Sequence, residues 1–206
     1  MKIAIIGSGN VGGALAQKFI KAGHTVLIGA KFPLSEKSIK LATQIGEDRF
    51  ASVENAVKQC EVVILATPAM MAAEVAQSLG DTTGKVIIDT MNVVMGRGPA
   101  GFTNTSDAIL AHTQTRDVVK CFNTTGFNNM QTPQYQDVAL DMFVAGDSEK
   151  GKNVAIQLAK DAGFAECYNV GGNDKFSLME QFAFFWINLA MFQGQGRDIG
   201  FKLLKR

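Results

Sequence analysis

Gly7, Gly9 and Gly12 stand in the order G-x-G-x-x-G, directly behind the apolar run "KIAII" and ahead of "ALAQKFIKAG". A strand before such glycines and a helix after them is the setting in which this spacing binds a dinucleotide. Gly7 makes the tight strand-to-helix turn, Gly9 lets a pyrophosphate approach the main chain, and Gly12 lets the helix close on the sheet. Free N–H groups at the helix start, together with the helix dipole, hold the phosphates.

The next strand ends in "TVLIGAKF". Proteins that prefer NAD place Asp or Glu here to bind the ribose 2′-OH. This chain has Ala30 and Lys31 instead. A carboxylate would repel a 2′-phosphate, whereas an ammonium attracts it, and the small Gly29 and Ala30 leave it room. One charge-assisted contact is worth roughly 1.5–3 kcal/mol, or about ten- to 150-fold in affinity. Lys31 is thus either the partner of a 2′-phosphate or a solvated loop lysine, and the first reading makes NADP(H) the preferred cofactor. Ser35 and Lys37 are positioned to assist.

Further residues fall on the same edge. "VVILATP" delivers Ala66, Thr67 and Pro68 to a turn that proline fixes. "IDTMNVV" brings Met91, Asn92 and Val93 to where a nicotinamide ring lies, with main-chain groups available to its carboxamide. "GRGPAGFTNTSDAIL" reads as a loop, a binding wall or lid, leading to a helix capped near Thr105 or Ser106. Lys120 and Asn123 end the run "VVKCFN" on this edge, and Lys120 either draws an acidic substrate or is solvated. Acid–base machinery is missing: His24 begins a strand on the opposite edge, His112 ends a surface helix, and no Ser–His–Asp order or carboxylate pair occurs. Hydride transfer between two redox cofactors needs proximity and a dry pocket more than a proton donor, so no catalytic side chain is expected.

The elements that must carry these residues alternate. Seven apolar, β-branched runs are separated by helical stretches, which predicts an α/β fold: a Rossmann-type, doubly wound, mostly parallel sheet over residues 1–172. Residues 173–206 form a small C-terminal helical extension. Its run "FSLMEQFAFFWINLAMF" is broken by polar residues and is shorter than the roughly 20 apolar residues that span a bilayer, so it reads as a buried or interface helix. Trp186 and Met191 at helical spacing there suit a core more often than a cofactor. The 206 residues carry a formal net charge of +1, which favours neither nucleic acid nor a membrane surface. Three scattered cysteines and two histidines point away from disulfides and metal and toward a reducing cytoplasm.

Three stretches carry a family resemblance: "IGSGNVGGALAQKFIKAGHTVLIGAK", "GRGPAGFTNTSDAIL" and "FQGQGRDIGFKLL". With them the chain resembles, over nearly its whole length, the NADPH-dependent reductases of the deazaflavin coenzyme F420. The resemblance implies an NADP-binding Rossmann domain, a homodimer, and a deazaflavin stacked on the nicotinamide that exchanges hydride with it directly. It makes Ser8, Asn10 and Val11 the loop that holds the pyrophosphate. Ala30 and Lys31 match the pair that reads the 2′-phosphate, usually Ser or Thr followed by Arg. Lys120, Asn123 and Met191 fall on the acceptor side. "VVKCFNTTGF" is more similar to bacterial relatives and to the cytoplasmic domain of the STEAP metalloreductases, where the hydride acceptor is a flavin. Deazaflavin is therefore the first acceptor and flavin the second, and a non-enzymatic NADPH sensor is the rival reading.

Overall fold

The computed structural model describes residues 1–30 and 35–206. Its centre is an eight-stranded sheet. The chain enters with β1 (Lys2–Ile6), crosses through α1 (Asn10–Lys21) to β2 (Thr25–Gly29), then through α2 (Glu36–Ile45) to the short β3 (Phe50–Ala51). It returns through α3 (Val53–Gln59) to β4 (Val62–Leu65), and α4 (Ala72–Gln77) leads to β5 (Val86–Asp89). After α5 (Thr105–Ala111) come β6 (Val118–Cys121), the short α6 (Phe127–Gln131), and a two-stranded hairpin of β7 (Gln134–Tyr135) and β8 (Val138–Ala139). The last strands are β9 (Met142–Ala145) and β10 (Cys167–Gly171), joined by α7 (Glu149–Asp161), and the C-terminal helix is α8 (Phe176–Ile187).

Strand order is β10-β9-β6-β5-β4-β1-β2-β3. All neighbours pair in parallel except β6 with β9. The expected α/β, Rossmann-type, mostly parallel sheet is therefore present. Its order reverses beside β1, which has β2 on one side and β4 on the other. At such a reversal the crossovers leave in opposite directions, which opens a crevice at the carboxyl ends of the strands.

Alternate residues of β1 fill two cores. Ile3 and Ile5 pack with Leu15 and Phe19 of α1 and Leu158 of α7 on one face. Ala4 and Ile6 pack with Val57 of α3 and Ala72 of α4 on the other. Both faces are covered, which is why the central strands read as unbroken apolar runs. Helix starts follow their caps. Ser52 Oγ accepts from Asn55 N and Ser148 Oγ from Gly151 N. For α5 the cap is Asn104, accepting from Asp107 N, rather than Thr105 or Ser106. Those two hydroxyls are drawn inward to buried carboxylates instead. Among the described residues no helix is long and apolar enough to cross a membrane.

Candidate functional site

β1 ends at the glycine turn. Gly7 has φ +115°, and a Cβ there would lie 2.5 Å from the Ala66 carbonyl oxygen. A Cβ on Gly12 would overlap the Gly7 carbonyl oxygen. Gly9 differs, because a Cβ on it would meet nothing within 4 Å. The first two glycines are required by packing, and the third faces open space at the start of α1. That helix has no side-chain cap and no acidic residue in its first turn, so its leading N–H groups stay available to an anion. A helix start of this kind suits a diphosphate.

Ser8 Oγ lies 2.8 Å from Ser38 Oγ, which lies 2.9 Å from Ser35 Oγ. Ser35 is also the N-cap of α2. A run of hydroxyls thus ties the glycine turn to the first turn of α2, and Lys37 and Lys40 border the same crevice beside Ser8, Gly9 and Asn10. Ala30 is buried at the end of β2. Lys31, expected to read the 2′-phosphate, lies outside the described residues.

A cleft of about 460 Å³ opens from this turn. Gly7, Ser8, Gly29, Ala30, Thr67 and Pro68 line it, with Met71 and Val75 on the far wall. Its lining and its place beside β1 and β2 suit the adenosine half of a dinucleotide. Ala66 N is spent on the Ile6 carbonyl, and Thr67 Oγ1 donates to Met91 Sδ at 3.2 Å, which links the turn after β4 to the chain after β5.

Beyond the switch point lies a group that composition does not announce. Lys120 of β6 is fully buried, and its Nζ lies 2.7 Å from Asp89 Oδ2 and 2.9 Å from Glu180 Oε1. It also donates to the Met91 carbonyl and to Thr105 Oγ1, both at 2.9 Å. Asp89 Oδ2 further accepts from Thr105 Oγ1 at 2.5 Å and Ser106 Oγ at 2.6 Å. Asp89 Oδ1 accepts from Met91 N, and Glu180 accepts from Val93 N and Thr105 N. Charges survive out of water only when paired and hydrogen-bonded this fully. β5, β6, the start of α5 and α8 are thereby fastened to the segment 91–93.

Two expectations change accordingly. Lys120 does not face solvent: its three protons are engaged by Asp89, the Met91 carbonyl and Thr105, and Glu180 pairs with its charge. The Met91 N–H, Met91 carbonyl and Val93 N–H do not stand free for a carboxamide either, because Asp89, Lys120 and Glu180 hold them. Asn92 and Asn123 remain at the edge. Asn92 Nδ2 donates to the Asn123 carbonyl and Asn123 Nδ2 to Asn92 Oδ1, both at 2.8 Å. Asn123 is buried, and its Oδ1 has no hydrogen-bond partner among the described residues. Met191 lies in the π-helical turn Asn188–Phe192 after α8 and is 55% exposed, while Trp186 is buried and donates to the Ile199 carbonyl. Asp89, Thr105, Ser106 and Glu180 were not anticipated. For the charged members the signal was a single charge set in each of three apolar runs, "VIID", "VVKCF" and "FSLMEQFAFFW".

The histidines stay apart from this site. His24 Nε2 lies 3.1 Å from Asp161 Oδ2, and His112 Nδ1 lies 3.3 Å from Gln77 Nε2.

A sheet that reverses order beside β1, with a bare glycine turn at that point, defines a dinucleotide-binding protein of the Rossmann class. Residues 2–93 match the family described as NADP oxidoreductase, coenzyme F420-dependent. This is the family that the sequence resembles, and the curated relatives agree. The chain is 26% identical to the F420-dependent NADP reductase of Methanothermobacter thermautotrophicus, over 98% of this chain and 94% of that protein. It is 22% identical to the metalloreductase STEAP3 of Rattus norvegicus over 79% of this chain, though it spans only 32% of that protein. Among solved structures, a candidate F420-dependent NADP reductase from Arthrobacter sp. FB24 superposes with a TM-score of 0.85 at 22% identity, covering all of both chains. A reductive aminase from Aspergillus terreus, solved with NADPH, gives a TM-score of 0.65 at 18% identity over 94% of this chain and 62% of that one.

Proposed function

We propose that this chain is an NADP(H)-dependent oxidoreductase that passes a hydride between NADPH and a flat redox coenzyme, with deazaflavin F420 as first acceptor and a flavin as second. The observation that carries the reading is the open face of Gly9 at an uncapped helix start, continuous with the cleft beside β1 and β2. The family match over residues 2–93 supports the cofactor and the reaction class.

In this reading Gly7, Ser8, Gly9, Asn10, Val11 and Gly12 hold the diphosphate, and Ala30 with Lys31 receives the 2′-phosphate. Ala66, Thr67 and Pro68 wall the riboses, while Met91, Asn92 and Val93 face the nicotinamide. Asn123 Oδ1, a buried acceptor in want of a donor, suits the amide hydrogens of the carboxamide. NADPH supplies the hydride. The protein's part is to orient two rings and exclude water, with no side chain exchanging a proton. Residues 173–206 serve as the extension that walls the acceptor side, with Met191 among them. Three buried free thiols suit a reducing cytoplasm.

The test follows absorbance at 340 nm, where the reduced nicotinamide absorbs, after mixing the protein with NADPH and either F420 or FMN. Consumption with one acceptor supports the oxidoreductase and names its partner. Tight NADPH binding with no turnover on either acceptor favours the sensor. For cofactor choice, Lys31→Glu is expected to weaken NADPH binding about tenfold or more while sparing NADH. Equal losses for both nucleotides in a calorimetric titration remove Lys31 from the site.

A further inference from the structure

Asp89, Lys120 and Glu180 bring two carboxyl groups and one ammonium into a space closed to water, and hydride transfer by itself gives none of them a task. Around Asp89 stand Met91 N, Thr105 Oγ1, Ser106 Oγ and Lys120 Nζ. Around Glu180 stand Val93 N, Thr105 N and Thr105 Oγ1, with Lys120 Nζ as its ion-pair partner. Each of these neighbours donates. A shell of donors matches the ionised carboxylate, which only accepts. The cluster therefore holds two negative charges against one positive, an excess of one negative charge.

That excess lies one hydrogen bond behind the segment 91–93. Asp89 accepts from Met91 N, Lys120 donates to the Met91 carbonyl, and Glu180 accepts from Val93 N. On the other side of Asn92 is a groove with Pro68 and Met70, in which Arg97 is the charged side chain among the described residues. Arg97 is exposed, so water and salt screen its charge, whereas a buried charge is screened far less.

We propose that this cluster sets the balance between the two redox forms of the bound nicotinamide and favours the oxidised one. The proposal rests on the hydride-transfer reading above and deepens it. Loss of a hydride, one proton with two electrons, to the flat acceptor turns the neutral dihydropyridine of NADPH into the pyridinium of NADP⁺. The ring thereby gains one positive charge. A fixed negative charge behind the segment that faces the ring attracts the pyridinium and is indifferent to the neutral form, which makes bound NADPH the stronger hydride donor. Asp89 and Glu180 touch neither ring and act through the segment 91–93.

The test needs no acceptor: the full chain is titrated calorimetrically with NADP⁺ and, separately, with NADPH. The wild-type chain is expected to hold NADP⁺ at least as tightly as NADPH. Glu180→Gln removes one negative charge at nearly constant shape, and is expected to raise the Kd of NADP⁺ relative to that of NADPH about threefold or more. Asp89→Asn is expected to move the ratio the same way. Ser106→Ala removes a hydrogen bond to Asp89 and no charge, so the ratio is expected to stay. A purely structural role for the carboxylates would weaken both forms alike. The proposal is overturned by a wild-type chain that binds NADPH the more tightly, by a neutralised variant that binds both forms in the wild-type ratio, or by Ser106→Ala shifting the ratio as far as Glu180→Gln does. Where a neutralised variant does not fold, the wild-type ratio decides. A wild-type chain that binds neither nucleotide takes down the hydride-transfer reading and this proposal together; saturable binding of both with an unmoved ratio removes this proposal alone.

Discussion

Gly9 and Gly12 sit three residues apart on one turn, and a methyl group on each meets different surroundings. At Gly9 it enters open space, in a backbone conformation of φ −74° and ψ −170° that alanine also adopts. Gly9→Ala is therefore expected to fold with an unchanged melting temperature and to lose tenfold or more in NADPH affinity by calorimetry. At Gly12 the methyl overlaps the Gly7 carbonyl, so Gly12→Ala is expected to lower stability by about 1–3 kcal/mol in urea unfolding. The reverse pattern would remove the phosphate role from Gly9. Both glycines were legible as a spacing, but which of them faces open space and which packs depends on what stands opposite, and sequence does not supply that. Two of the thiols add no nucleophile: burial pushes Cys60 up, and burial with the neighbouring Cys167 pushes Cys121 well up, so both stay protonated at neutral pH.

Among the elements, β5, β6 and α8 were read as apolar, and each carries one charge, with Lys120 of β6 meeting the other two. The strands were recognisable because β-branched runs announce themselves. Their partnership was not, because Asp89, Lys120 and Glu180 are 31 and 60 residues apart along the chain. Loop closure over such distances leaves no local pattern. Lys120→Met leaves two buried carboxylates facing one another without their cation. It is expected to cost about 3–5 kcal/mol, read as a fall in the urea midpoint; an unchanged midpoint would mean that the cluster does not hold α8 to the sheet. Smaller elements were missed for a plainer reason. β3, β7 and β8 have two residues each, too few to show a period, and α6 "FNNMQ" has no apolar stripe.

Across the whole molecule, the chain after α8 runs back over the sheet edge as a strap. Phe201 stacks on Phe182 with centroids 4.6 Å apart, Arg197 lies over Phe127 and Trp186, and the buried Asp141 carboxylate holds Lys202 Nζ and Leu203 N. This explains the third stretch of the resemblance as packing. Leu178, Phe184, Phe185 and Phe192 of the C-terminal segment are exposed, and large apolar side chains left in water suit a partner surface. A homodimer through this face is our proposal for the assembly. Phe192→Lys is expected to shift sedimentation equilibrium from dimer to monomer, and a wild-type chain that sediments as a monomer rejects it.

By itself the sequence determined the fold class and the glycine turn between β1 and α1. Both rest on local rules: an apolar run, a glycine spacing and a helix start act within about a dozen residues of one another. Tertiary structure decided that Lys120 is a buried tie, that the Met91 N–H and carbonyl and the Val93 N–H are already taken, and that Arg97 faces a groove. Each of these depends on which distant groups share a small volume out of water, where the dielectric is low and an unpaired charge is costly. That is a property of the packed chain, and no stretch of sequence holds it alone.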